Sequence, residues 1–498
     1  MKRRGSGILI HISSLPSRFG IGDLGPQAFH FADFLADAKQ SFWQILPLNP
    51  IVPVYGSSPY HSISAFACSS LFISPELLVQ DDLLNEGDIA SYPDLPEDRV
   101  DYASVISHKR ELFSKAYDRF LRTTEKYDYQ RFCRENSAWL DDYSLFAALK
   151  SRYYGKTWSD WPPELRDREE ETLESAQMEF HERIGFEKFL QYLFFRQWFS
   201  LRKYCREKGI QIIGDMPIYV EYDSVDLWTR PEVFKLDDAK KPYAVAGVPP
   251  DYFSKTGQLW GNPLYRWDVL KDTGYGWWVQ RMEHALKLFD IVRIDHFRGI
   301  VGYWEVAAGE KTAMNGKWIE APAEDFLKTL LRKFPYLPVI AEDLGVITPD
   351  VREIMSRFEL PGMKILLFAF GDDLSTNPYI PHNLVKNCIV YPGTHDNNTV
   401  KGWFENEAAP EDKERLRKYL GREVSNEDIS WELIRMAMMS VANLAVTSMQ
   451  DILNLGEEAR MNRPATTQGN WQWRLLPGRL SLKLSEKFRQ MTEIYGRA

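Results

Sequence analysis

Acidic side chains recur where apolar runs end in this 498-residue chain. Asp215 closes QIIGD, Asp295 closes IVRID, Glu342 and Asp343 close VIAED, and Asp396 closes CIVYPGTHD. Carboxylates gathered in one pocket repel and shift one another's pKa, so one can stay protonated beside another that is ionised. Two chemistries use such a group: cleavage of a glycosidic bond by a carboxylate pair, and metal binding through oxygen ligands. The chain has no HExxH, EF-hand or P-loop pattern and no GxSxG elbow, which weakens the metal, phosphate and serine-hydrolase readings. His395, beside Asp396, reads better as a hydrogen-bond donor to a hydroxylated substrate than as a metal ligand. Arg293 precedes Asp295 by two residues and shares its face of a strand. Alone, that pair fits a structural ion pair as well as an active site. Asp343, Asp23 and Asp350 can equally be helix N-caps.

These acids need rigid elements to converge. Strand-like apolar runs occupy residues 7–13, 41–48, 209–218, 290–297, 339–345, 363–370, 388–396 and 444–455, eight in all. Helix-period stretches separate most of them, at 29–38, 277–287, 323–333 and 349–357. Eight strand–helix alternations predict an α/β fold, a TIM (β/α)8 barrel, whose catalytic groups sit at the C-terminal strand ends. A doubly wound sheet is the alternative. Residues of about 55–207 are charged, aromatic-studded and without strand rhythm, which predicts a mainly helical insertion. The expected organisation is one catalytic barrel over residues 1–498, with a Pro- and Gly-rich loop at about 247–265.

Bulk properties narrow the partners. The net charge of 61 − 70 = −9 disfavours nucleic acid and anionic membranes. No run of about 18 apolar residues could span a bilayer, and the run behind Arg3-Arg4 is too short for a signal peptide. Four dispersed cysteines form no CxxC pair, as in a reducing, cytoplasmic compartment. Gly20, Gly22 and Gly25 spell a dinucleotide fingerprint, but the strand ends several residues earlier and no acid follows about 20 residues on; no cofactor is expected. The abundance of Trp, Tyr and Phe suits sugar faces as well as a core.

Several stretches together resemble one family. They are GILIHISSLP (7–16), WQILP (43–47), YGSSPY (55–60), GDMPIYV (214–220) and GVPPDYFSKTGQLWGNPLY (247–265), then RIDHFRG (293–299), AEDLG (341–345), GTHDNNT (393–399) and GNWQWR (469–474). In this order they resemble the 4-α-glucanotransferases known as amylomaltases or disproportionating enzymes, in the α-amylase superfamily. The resemblance implies a retaining mechanism on α-1,4-glucans, with glucose or another glucan as acceptor and neither cofactor nor metal. It implies that Asp295 is the nucleophile, Glu342 the general acid/base and Asp396 the acid that holds and distorts the sugar. Arg293 would keep Asp295 ionised, and His395 would donate to a hydroxyl. The pair Asp295/Glu342 would then stand about 5–5.5 Å apart. Tyr60 would stack on the acceptor side, with Asp215 among the substrate-binding groups. Asp251, Tyr252, Gln258, Trp260 and Asn262 would contact sugars from the 247–265 loop. Asn470, with Trp471 and Trp473, would wall the cleft. The resemblance implies a cytoplasmic enzyme, or a plastid stromal one for a mature plant or algal form, and no C-terminal β-sandwich. It leaves monomer and homodimer undecided. His61, after Tyr60, departs from the Gln or Ser expected there and puts acceptor preference in doubt.

Overall fold

The computed structural model describes residues 4–498 apart from 125, 251–253 and 372, and leaves out the side chain of residue 55. In chain order its strands are β1 (Gly5–Leu9), β2 (Phe42–Gln44), β3 (Gln211–Met216), β4 (Ala244–Val248), β5 (Gln258–Pro263) and β6 (Ile291–Ile294). They continue with β7 (Gly302–Ala307), β8 (Lys317–Glu320), β9 (Val339–Ala341), β10 (Gly362–Ile365), β11 (Cys388–Tyr391) and β12 (Leu444–Ser448). A closed parallel barrel is formed by β1, β2, β3, β6, β9, β10, β11 and β12, each beside its predecessor, with β12 pairing β1. This is the predicted TIM barrel. Its strands are buried on both faces, and so they read as continuous apolar runs rather than alternating ones: all residues of β1, β6, β11 and β12 are buried.

The strands are shorter than the apolar runs that announced them. The run 444–455 is strand only to Ser448, where the Ser448 hydroxyl caps the helix Met449–Ile452. Functional residues therefore lie at strand ends or just beyond. Close packing sets some positions: at Gly214 in β3, any Cβ would meet the Phe289 ring at 2.2 Å.

Among the described residues, 75–207 carry eight α-helices, the last being His181–Glu207. Interleaved rings hold this layer, with Phe120 stacked on Phe189 at 4.7 Å. The long helix leads directly into β3, and its Trp198 Nε1 donates to Leu288 O beneath the barrel.

A second sheet went unread in the sequence. It is antiparallel, in the order β5-β4-β7-β8. Much of the expected loop at 247–265 is thus a hairpin of β4 and β5, paired with a register shift between Val245 and Gly247. The strand AVAGV is small-residue and Gly-bearing, and KWIE is short and mostly exposed, so neither shows strand periodicity. After β12 no further strand occurs among the described residues.

Candidate active site

β6 lies between β3 and β9, and register does the first work. Asp215 pairs with Arg293 and Ile294 with Ala341, so Arg293 faces Asp215 while Asp295 and Glu342 leave adjacent strands together. Arg293 Nη1 donates to both Asp215 oxygens, at 2.8 and 2.7 Å, and Nη2 lies 3.0 Å from Asp295 Oδ1. Its Nε donates to Met363 Sδ at 3.3 Å. Side-chain exposure is 3% for Arg293 and 0% for Asp215, against 26% for Asp295. One cation therefore serves two carboxylates, and only Asp295 opens to the cleft.

Glu342 is fixed differently. Its Oε2 accepts from His296 N at 2.8 Å and its Oε1 from Leu344 N at 2.7 Å. His296 holds φ +46, a left-handed conformation uncommon for a non-glycine residue. That turn aims its amide at the Glu342 carboxyl, so the backbone after the β6 end directly positions the acid after β9. The His296 ring meets Trp260 of β5 edge-on at 4.6 Å, which brings the antiparallel sheet over the site.

The third side comes from beyond β11. Asp396 Oδ1 accepts from Asn462 Nδ2 at 2.7 Å, and His395 Nε2 lies 3.3 Å from Asp396 Oδ2. Tyr60 Oη sits 2.7 Å from both Asp215 Oδ2 and His395 Nε2. Its ring stacks on His395 at 5.5 Å and leans on Trp471 at 5.7 Å. A continuous polar chain thus runs from Asp396 through His395, Tyr60, Asp215 and Arg293 to Asp295.

Burial dominates the electrostatics. It pushes the Asp295 carboxyl up to about 8; Arg293 opposes, while Asp215, Glu342 and Asp396 add to the rise. The quarter of its surface left open lets water moderate that rise. Burial also raises Glu342, against Arg293 and the two backbone amides. Glu342 is one of the charges that raise Asp295, so the two acids do not ionise independently. The shared proton belongs on Glu342, because only Asp295 touches the guanidinium. Burial lowers His395, keeping it neutral, and raises Tyr60 well above an ordinary phenol, keeping its proton.

The structure gathers Asp295, Glu342, Asp396, Arg293, His395, Tyr60 and Asp215, and brings Trp260 and Gln258 alongside. Gln258 Oε1 accepts from Trp260 Nε1 at 3.2 Å. Asn262 is buried, and its amide donates to Val220 O and Glu221 Oε1. The amide of Asn470 is spent on Thr466 and on Arg463 N. Asp251 and Tyr252 lie outside the described residues. Asp343 holds β10, accepting from Met363 N and Lys364 Nζ, and is no helix cap. The departure at His61 has a partner: its Nδ1 stands 2.5 Å from Glu221 Oε1, the oxygen Asn262 also uses. Sequence reasoning missed His296 and Asn462. The first acts through a backbone angle no residue pattern reveals, and the second lies in a loop without a motif.

A sequence profile described as 4-alpha-glucanotransferase matches residues 10–480. The chain is 48% identical over 492 residues to a 4-alpha-glucanotransferase of Aquifex aeolicus, covering 99% of each. It is 47% identical to one of Synechocystis, covering 100% of this chain and 99% of that one. Among solved structures it resembles an amylomaltase from Streptococcus agalactiae in complex with acarbose, with a TM-score of 0.96, 40% identity and full coverage of both chains.

Proposed function

This chain belongs to the 4-alpha-glucanotransferase family, and from that premise we propose how its site transfers a segment of an α-1,4-glucan to the 4-hydroxyl of glucose or another glucan. Asp295 attacks the anomeric carbon while Glu342 gives its proton to the glycosidic oxygen, so the reducing-end fragment departs and a covalent glycosyl-enzyme remains. An acceptor 4-hydroxyl then gives its proton to the Glu342 carboxylate and attacks the same carbon, releasing Asp295. Two inversions retain the α configuration. Asp396 and His395 hold ring hydroxyls of the scissile sugar, and Tyr60, Trp260 and Trp471 wall the cleft.

The observation that carries this reading is the asymmetry at the barrel mouth. Asp295 touches Arg293, whereas the raised carboxyl of Glu342 touches no cation within hydrogen-bond reach among the described residues. A retaining mechanism needs that split between an ionised nucleophile and a protonated acid. Aromatic walls favour a sugar acceptor over water by positioning it and by excluding solvent. Residues 1–498 then act as one catalytic barrel, with the helical stretch within about 55–207 and the hairpin within about 247–265 as its additions. Four unpaired thiols fit a cytoplasmic location.

Incubation with maltotriose tests the reading. Glucose together with products longer than the substrate supports transfer. Glucose and maltose alone would identify a hydrolase instead.

A further inference from the structure

A cavity of about 20 Å³ lies beside His395. Its lining includes His11, Leu46, His395, Asn397, Ser448 and Gln450. Besides the amide oxygen of Asn398, two buried nitrogens in this lining have no partner among the described residues: His11 Nε2 and His395 Nδ1. The residues are 3% and 6% exposed. Unpaired buried polar atoms are costly, and native proteins seldom leave them.

The hydrogen bonds at the far side of each ring decide which nitrogen carries a proton. His11 Nδ1 accepts from Leu46 N at 3.2 Å. A backbone N–H can only donate, so the neutral His11 ring carries its hydrogen on Nε2. At the other end, both Asp215 oxygens accept from Arg293 Nη1. Tyr60 must therefore donate to Asp215, and its oxygen is left to accept from His395 Nε2–H. The nearby Asp396 oxygen favours the same tautomer. His395 Nδ1 is then a bare acceptor. A donor on His11 and an acceptor on His395 thus line one cavity, and burial keeps both rings neutral.

We propose that one water occupies this cavity, accepting from His11 Nε2–H and donating to His395 Nδ1, and that His11 is a positioning residue that fixes the tautomer of His395. The volume suits this: a buried water needs about 10–15 Å³ of such space and two to four polar partners. The result is a one-way chain of hydrogen bonds, from Leu46 N–H through His11, the water, His395 and Tyr60 to Asp215. Its effect is to keep the His395 Nε2 hydrogen on the Tyr60 and Asp396 side of the ring, where it donates to Tyr60 and can be shared with a sugar hydroxyl. The placement deepens the reading of His395 given above, but the water and the tautomer are observable without substrate.

Two measurements on the unmodified protein test it. In a high-resolution crystal structure, electron density is expected within hydrogen-bonding distance of both His11 Nε2 and His395 Nδ1. In ¹⁵N NMR of histidine-labelled protein, His395 is expected as the Nε2–H tautomer at neutral pH. An empty cavity, or a His395 protonated at Nδ1, would overturn the proposal whether or not the enzyme transfers glucan. For kinetics, His11→Phe keeps the ring against Phe72, which it meets edge-on at 5.2 Å, but loses the donor. It should lower kcat roughly fivefold, one hydrogen bond's worth, with KM nearly unchanged. His11→Gln, which can still donate and accept, should recover most of that loss. Equal kcat in His11→Phe and wild type, or equal losses in both variants, would count against His11 acting through His395.

Discussion

Replacing Arg293 by lysine separates its two jobs. The guanidinium spans Asp215, which has no exposed side-chain surface, and Asp295, which is 26% exposed. An ammonium is a compact charge that cannot fork between two carboxylates. In Arg293→Lys it should stay with Asp215, because an unpaired charge there costs about 3–5 kcal/mol. Asp295 then loses its close cation. At an effective dielectric constant of about 20, a charge pair at 3.0 Å is worth about 5.5 kcal/mol and one at about 6 Å about 2.8 kcal/mol. The loss of about 2.8 kcal/mol corresponds to about two pKa units, which water at the open side trims to between about one and two units. The sign is upward, since removing a nearby positive charge favours the protonated acid. Protonated Asp295 cannot attack, so the acidic limb of the kcat/KM profile should move up by that amount. At a pH below both limbs the variant should be about 10- to 100-fold slower than wild type, and raising the pH should restore much of its activity. The assay is disproportionation of maltotriose across pH 4.5–9, with thermal denaturation confirming a folded variant. An acidic limb that stays in place while activity falls equally at every pH would refute the charge argument and leave Arg293 a packing role.

Asp295→Asn tests the same electrostatics through stability. Burial raises the Asp295 carboxyl in the fold, so its stabilising contribution is complete below the unfolded value near 4 and is lost as pH rises through the raised folded value. Asparagine carries no such penalty: turnover should vanish while Tm at pH 8 equals or exceeds that of wild type, an advantage that shrinks toward pH 4. A lower Tm at pH 8 would show that the Arg293–Asp295 contact outweighs the burial cost. Asn462→Ala removes the amide on Asp396 Oδ1, a hydrogen bond to a charged group. Catalytic efficiency on maltotriose should drop roughly tenfold or more, and an unchanged kcat/KM would mean that substrate hydroxyls alone orient Asp396.

The barrel and its acids were legible for one reason. A parallel strand buried on both faces must be apolar along its length, so a carboxylate at its end stands out against that background. Asp295 and Glu342 were visible in this way, and their meeting followed from strand order. What stayed hidden depends on geometry that residue type does not encode. His296 reaches Glu342 through a left-handed backbone angle and an amide, not through its imidazole. The β5-β4-β7-β8 sheet is short and partly exposed; β5 lies inside the 247–265 motif and β7 begins just after RIDHFRG, so the motifs mask its strands. Asp215 shows the limit from the other side. It was visible as a strand-end acid, but the resemblance assigned it to the substrate, and burial assigns it to Arg293 and Tyr60. That difference matters for the chemistry. Were Asp215 absent, the whole guanidinium charge would fall on Asp295 and hold it as a weaker base and a poorer nucleophile. By taking two of the guanidinium's contacts, Asp215 leaves Asp295 enough positive charge to stay ionised and too little to be quenched. Burial raises the Asp295 carboxyl and Asp215 adds to that rise, while Arg293 opposes both, so the guanidinium is what keeps the nucleophile ionised.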